Sequence, residues 1–164
     1  MPAPDPAMQT PPPAAEAPAP KNYVTAVIGT TPFFRPKGGP VADYIKDFNP
    51  AIGYGRYVTP KLALELDVGL TYISDAPNLT YFLVPGAVYS LSTYLYAAMR
   101  AVVAINPDAD SAVDVVLYPG FGGFYGLPSG LGFSLELNPA ISIGQSATRG
   151  SFGVAVNLGV VYSF

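Results

Sequence analysis

Five charged side chains fall where they could do chemistry. Glu65, Asp67, Arg100, Asp114 and Glu136 each lie in an otherwise apolar stretch, on the side of a two-residue alternation opposite the large aliphatic residues. Paired carboxylates such as Glu65 and Asp67 can serve as an acid and a base. A guanidinium set among carboxylates forms instead an ion-pair network, or lines a gated ion path. The wider composition argues against catalysis. With no histidine, no Ser-His or histidine-based dyad can form. With no cysteine, thiol catalysis, thiolate metal sites and disulfides are excluded. Asn106-Pro107-Asp108-Ala109-Asp110 carries two acids but lacks the other ligands of an EF-hand loop. Gly120, Gly122, Gly123 and Gly126 lack the following Lys-Ser or Lys-Thr of a phosphate loop. The expectation is therefore a protein without enzymatic activity, resident metal or cofactor. A net charge of −3 with no basic patch makes nucleic acid a poor partner.

The elements that must position these charges are strands. In Lys61 to Ile73, the residues Leu62, Leu64, Leu66, Val68, Leu70 and Tyr72 alternate with Ala63, Glu65, Asp67, Gly69 and Thr71. Such alternation predicts a strand whose two faces meet different surroundings. Leu131 to Ile143 and Phe152 to Phe164 repeat the pattern, and Thr93 to Ile105 follows it with smaller residues. Tyr81 to Leu91, Val113 to Tyr125, 22–34 and 47–58 complete eight predicted strands, the last two with ambiguous faces because Gly53, Gly55 and adjacent threonines blur the period. Tight turns are predicted at Thr59-Pro60, Ser90 to Ser92 and Leu127 to Gly130. Longer links are predicted at Arg35 to Lys46, Ser74 to Thr80, Asn106 to Ala112 and Gly144 to Gly150. Residues 1–21 are nearly all Pro, Ala, Asp, Glu, Gln and Thr. They bury too little apolar surface to offset ordering entropy, so a disordered tail precedes the folded unit at 22–164. No secretory signal is evident, and Met1-Pro2-Ala3-Pro4-Asp5 reads as a mature chain with an added start methionine.

Charged residues are only 12% of the chain, about half the level of soluble domains, too few to cover a water-facing surface. No apolar run reaches the ~18 residues of a transmembrane helix. In lipid only helices and closed barrels satisfy the backbone, so a transmembrane barrel remains. Alternation alone also fits a soluble lipocalin-type carrier with an apolar centre. Side-chain size separates the two. The polar face here is mainly Gly, Ala, Ser and Asn, suited to the crowded interior of an eight-stranded barrel, whereas a water-facing stripe would be rich in Lys and Glu. The aliphatic face then points into hydrocarbon. Tyr72, Tyr81, Tyr89 and Tyr162 sit at strand ends on that face, as an interfacial aromatic girdle requires. Asp67, Arg100 and Glu136 lie about six or seven residues from a predicted tight turn, near mid-height in the barrel. A buried charge without a partner is costly, so Arg100 is expected to pair with Asp67, Glu136 or both.

The chain ends Val160-Val161-Tyr162-Ser163-Phe164, with Val160, Tyr162 and Phe164 on the aliphatic face. A terminal Phe preceded by alternating apolar residues resembles the assembly signal of outer-membrane barrels. Residues 22–164 as a whole resemble the OmpA/OmpX-type small outer-membrane barrel domain, and Pro60-Lys61-Leu62-Ala63-Leu64-Glu65-Leu66-Asp67-Val68-Gly69 is similar to that family's second hairpin. The resemblance implies an all-β, eight-stranded antiparallel up-and-down barrel in the bacterial outer membrane, with both termini periplasmic. It implies a structural or envelope-interaction role, with outer-membrane lipid, lipopolysaccharide and the barrel-assembly machinery as partners, and a periplasmic or extracellular protein as a further one. The basic segment Arg35-Pro36-Lys37-Gly38-Gly39-Pro40 is suited to lipopolysaccharide phosphates. Small barrels that are lipid A deacylases or palmitoyl transferases use a catalytic histidine, which this chain lacks. A narrow channel for ions or small solutes is the alternative to a barrel plugged by side chains and salt bridges.

Overall fold

The computed structural model describes residues 22–35, 47–73, 76–105, 113–143 and 150–164, excepting the side chains of 32–34, 47, 73, 76–79 and 113–114. The expected tail at 1–21, the basic segment beyond Arg35, the acidic segment at 106–112 and the side chain of Asp114 lie outside the described residues.

Eight strands close into one antiparallel barrel, each paired with its neighbours in sequence. They are β1 (Asn22–Arg35), β2 (Asp47–Tyr57), β3 (Leu62–Ile73), β4 (Ala76–Ser90), β5 (Leu95–Ile105), β6 (Val113–Gly126), β7 (Leu131–Ser142) and β8 (Phe152–Ser163). Closure runs through β1 and β8, from Tyr23↔Ser163 to Arg35↔Phe152, with a register shift between Thr30 and Phe33. The ends are tied twice, Asn22 N donating to Phe164 O (3.1 Å) and Phe164 N to Asn22 O (3.0 Å). Among the described residues every strand has a partner on both sides, so the barrel leaves no open sheet edge.

In β3 side-chain size decides which face turns outward. Leu64 is 53% and Leu66 51% exposed, while Glu65 is 8% and Asp67 7% exposed. The faces that sequence left ambiguous alternate too but do not sort by size, since Tyr23, Val27 and Tyr57 turn inward and Ala26 outward. In β1 and β2, Val24, Ile28, Ile52 and Tyr54 are exposed, and Tyr23, Thr25, Asn49, Gly53 and Gly55 point inward. Among the described residues no helix is long and apolar enough to cross a membrane, and the apolar surface instead forms a belt around the strands.

The three turns at one end are tight and locally specified. Thr59 Oγ1 accepts the N–H groups of Lys61 (3.3 Å) and Leu62 (3.0 Å), and Ser92 Oγ accepts those of Tyr94 (3.2 Å) and Leu95 (3.1 Å). In the third, Gly130 takes a φ of 85°, a left-handed conformation that costs glycine nothing, and Ser163 N donates to its carbonyl (2.9 Å). At the other end one expectation is corrected. β4 starts at Ala76 rather than Tyr81, so only 74–75 separate it from β3, in place of a long link over Ser74 to Thr80. Asp75, Pro77 and Asn78 read as turn residues in isolation. The ladder overrides them: after a register shift past Thr71↔Thr80, Ile73 still pairs with Ala76.

Candidate functional site

The inward charges meet in the middle of the barrel, and glycines let them meet. Neighbouring strands lie about 4.8 Å apart, so side chains two strands apart start about 10 Å from each other. They touch only if the strand between them contributes no side chain. One continuous cross-strand row reads Tyr23↔Gly55↔Glu65↔Gly86↔Arg100. A Cβ on Gly55 would overlap the Tyr23 ring, and one on Gly86 would press on Cγ of Arg100. Across these two gaps the Tyr23 hydroxyl donates to Glu65 Oε2 (2.8 Å) and Arg100 Nε donates to Glu65 Oε1 (2.8 Å).

The same construction recurs twice. In Thr25↔Gly53↔Asp67 the carboxylate lies over the glycine and Thr25 Oγ1 donates to Asp67 Oδ1 at 3.4 Å, a long contact. In Tyr96↔Gly122↔Glu136 the Tyr96 ring lies over Gly122 and its hydroxyl meets Glu136. Arg100 joins the halves of the barrel, because Nη1 also donates to Glu136 Oε1. The guanidinium thus bridges Glu65 on β3 and Glu136 on β7, with all three side chains largely withdrawn from solvent.

Of the two partners expected for Arg100, Glu136 is in contact, whereas the second contact is Glu65 and not Asp67. The reason is register. Gly86 stands between Glu65 and Arg100 in one row, while Asp67 pairs with Val84, one step further along. Asp114 pairs with Ala104 by its backbone, and its side chain lies outside the described residues. Sequence reading missed Tyr23 and Asn138, and missed Tyr96 as a partner of Glu136. Asn138 is 1% exposed, lies beside Gly120, and neither of its amide atoms has a partner.

Around the bridge lies a cavity of about 530 Å³. It runs from Thr31, Asn49 and Thr71 toward the long-link end, past Asp67, Arg100 and Asn138, to Pro60, Ser92 and Thr93 at the tight-turn rim, where those residues are exposed. Gly53, Gly55, Gly86 and Gly120 give up their side-chain space to Asp67, Tyr23, Arg100 and Asn138, which line the cavity in their place.

The remaining sequence-identified residues lie on the outside. Tyr72 and Tyr81 are exposed near the long-link end, and Tyr89 and Tyr162 near the tight turns. Val160, Tyr162 and Phe164 point outward together, with the Tyr162 and Phe164 rings stacked at 6.1 Å. Tyr54, Tyr94, Phe121, Tyr125 and Phe133 are further exposed aromatics, all toward the tight-turn end.

No protein-family model matches the chain, and no curated protein does. Solved structures do match. Neisserial surface protein A (NspA) superposes with a TM-score of 0.67 at 19% identity, over 87% of this chain and 97% of that one. A chain from the de novo design of transmembrane β-barrels gives 0.52 at 19% identity, over 92% and 100%. Ail, the attachment invasion locus protein of Yersinia pestis, gives 0.54 at 11% identity, over 88% and 99%. The likeness is one of fold, and it extends over nearly all of each matched chain.

Proposed function

We propose that this chain is an integral protein of the bacterial outer membrane, of the OmpA/OmpX-type kind, with a structural or envelope-interaction role. The observation that carries the proposal is the inverted surface. Leu64, Leu66, Val68, Leu135, Leu137 and Leu158 are exposed on a barrel whose charges point inward. Monomeric soluble proteins rarely expose contiguous apolar patches beyond a few hundred Å², and here the belt encircles the molecule. Acyl chains are the solvent that suits it. The exposed tyrosines toward both ends lie where headgroups begin.

In this setting the tight turns and both termini face the periplasm, and the longer links face outward toward lipopolysaccharide and any protein partner. Val160, Tyr162 and Phe164 are the strip read by the assembly machinery. Glu65, Arg100 and Glu136 act as an internal clasp across the lumen with Asp67 beside it, and none of the four has a catalytic part. The test is detergent phase separation of the refolded chain, with gel mobility before and after boiling. Partition into the detergent phase and a heat-dependent mobility shift are expected. A folded protein that stays in the aqueous phase overturns the proposal.

The cavity supports a second function, a narrow path for ions or small solutes. Planar bilayers decide between the two. The clasped barrel is silent, whereas reproducible single-channel steps would identify a path.

A further inference from the structure

The lumen holds more negative than positive charge. Among the described residues lining the cavity, the cation is Arg100, and the acids are Glu65, Asp67 and Glu136. Arg100 spends its guanidinium on Glu65 and Glu136. Asp67, although buried, meets the Thr25 hydroxyl at a long 3.4 Å and the neighbouring Glu65 carboxylate, and neither is a cation. With every group ionised the cluster carries two uncompensated charges. Burying such charges is costly unless something positive joins them.

A second observation, independent of charge, also asks for an occupant. Asn138 lines the same cavity, is almost wholly buried, and has a donor and an acceptor without partners. A buried amide left in that state is costly. A polar group entering the cavity would relieve it.

The space suits an organic molecule better than a bare ion. About 530 Å³ lies within the ~300–1,000 Å³ range of small-molecule sites. No three His, Cys, Asp or Glu side chains among the described residues cluster as metal ligands would. The walls also supply apolar and aromatic surface from Tyr57, Phe82, Val84 and Phe124. Near the rim, Tyr23 and Tyr57 meet edge to face at 5.7 Å, and aromatic faces attract cations.

We propose that the lumen is a binding pocket for a small organic cation, an ammonium or guanidinium on an apolar body. It enters from the tight-turn rim, with Asp67 as its counter-ion and Asn138 as a hydrogen-bonding partner. The pocket depends on the closed barrel and not on which membrane surrounds it.

The test uses the full chain, refolded in detergent micelles and judged folded by its heat-dependent gel shift. If the chain instead folds without detergent, the same titration is run in water, so that failure of the membrane placement stays separate. Benzylammonium is titrated while the side-chain amide of Asn138 is followed by NMR, with benzyl alcohol and benzoate as neutral and anionic counterparts. Saturable shifts at Asn138 are expected with benzylammonium, and binding at least about tenfold weaker with benzyl alcohol, the low end of what a close desolvated charge pair contributes. Asp67→Asn should weaken benzylammonium by a similar factor and leave benzyl alcohol unchanged. Equal binding of the cation and the alcohol, an unaffected Asp67→Asn variant, or no saturable shift at Asn138 overturns the proposal. The ligand comparison needs no variant, so it stands even if Asp67→Asn fails to fold.

Discussion

Replacing Arg100 by Ala tests whether the barrel's centre is held by charge. The guanidinium contacts Glu65 and Glu136 from one position, and its stem lies across Gly86. Its removal takes away two ion pairs and leaves Glu65, Asp67 and Glu136 facing one another. Deleting one partner of a buried pair costs about 3–5 kcal/mol, chiefly because the other charge is stranded. Two carboxylates are stranded here, but the cavity admits water, which moderates the cost. A loss of about 3–5 kcal/mol is therefore expected for Arg100→Ala. Arg100→Met separates charge from packing, because it restores the stem without the guanidinium, and it should recover little. The triple variant Arg100→Met, Glu65→Gln, Glu136→Gln removes the stranded charges as well and should regain at least about 2 kcal/mol. The chain has no tryptophan, so equilibrium urea unfolding in detergent is best followed by far-ultraviolet circular dichroism and by the density of the heat-shifted band. An unchanged midpoint for Arg100→Ala would refute the network. Full recovery by Arg100→Met alone would show that the stem's packing, and not its charge, holds the site.

Three further outcomes follow from the geometry. Gly122→Val places a side chain where the Tyr96 ring lies and should cost about 1–3 kcal/mol as overpacking, whereas a Cβ on adjacent Gly123 meets only the Tyr94 carbonyl at 3.8 Å, so Gly123→Ala should stay within about 0.5 kcal/mol; equal effects in the same unfolding assay would contradict the row arrangement. Leu66→Arg, mid-strand on the outer belt, should cost about 2–4 kcal/mol in lipid and Tyr72→Arg near the rim about 0–1 kcal/mol, and unfolding from liposomes that shows no depth dependence would argue against a membrane-spanning belt. Tyr23→Phe keeps the ring over Gly55 but removes the hydroxyl donated to Glu65, so a loss of about 1.5–3 kcal/mol is expected in urea, and no loss would mean that Glu65 does not depend on that bond.

The fold was legible wherever the two faces differ in size as well as polarity. β3, β7 and β8 set Leu, Val and Phe against Gly, Ser, Ala and acids, and no helical period mimics that. β1 and β2 were harder, because their inward positions include Tyr23, Val27 and Tyr57, residues as large as those outside. The early start of β4 was hidden by turn-forming residues that neighbouring strands hold extended. These failures share a cause: what decides the outcome lies in the adjacent strand and not in the local sequence.

The site divides along the same line. A tight turn largely sets the register of its hairpin. The turn at Val58 to Lys61 pairs Gly55 with Glu65 and Gly53 with Asp67, the turn at Leu91 to Tyr94 pairs Gly86 with Arg100, and the turn at Leu127 to Gly130 pairs Gly122 with Glu136. Each inward charge of these hairpins therefore has a glycine directly opposite it, and this could have been read from turn positions alone. That pattern shows that each charge must reach across an empty position, but not what it reaches. The answer depends on the pairing of one hairpin with the next, across β3–β4, where a register shift lies between Thr71 and Ile73, and across β5–β6 and the β1–β8 closure, where the sequence holds no tight turn to set the register. Glu65 against Gly86 selects Arg100's partner, and a slip of two residues in β3–β4 would place Asp67 there instead. The choice between two acids two residues apart is thus made by barrel closure, which fixes all eight registers together, and for that reason it was absent from any single strand.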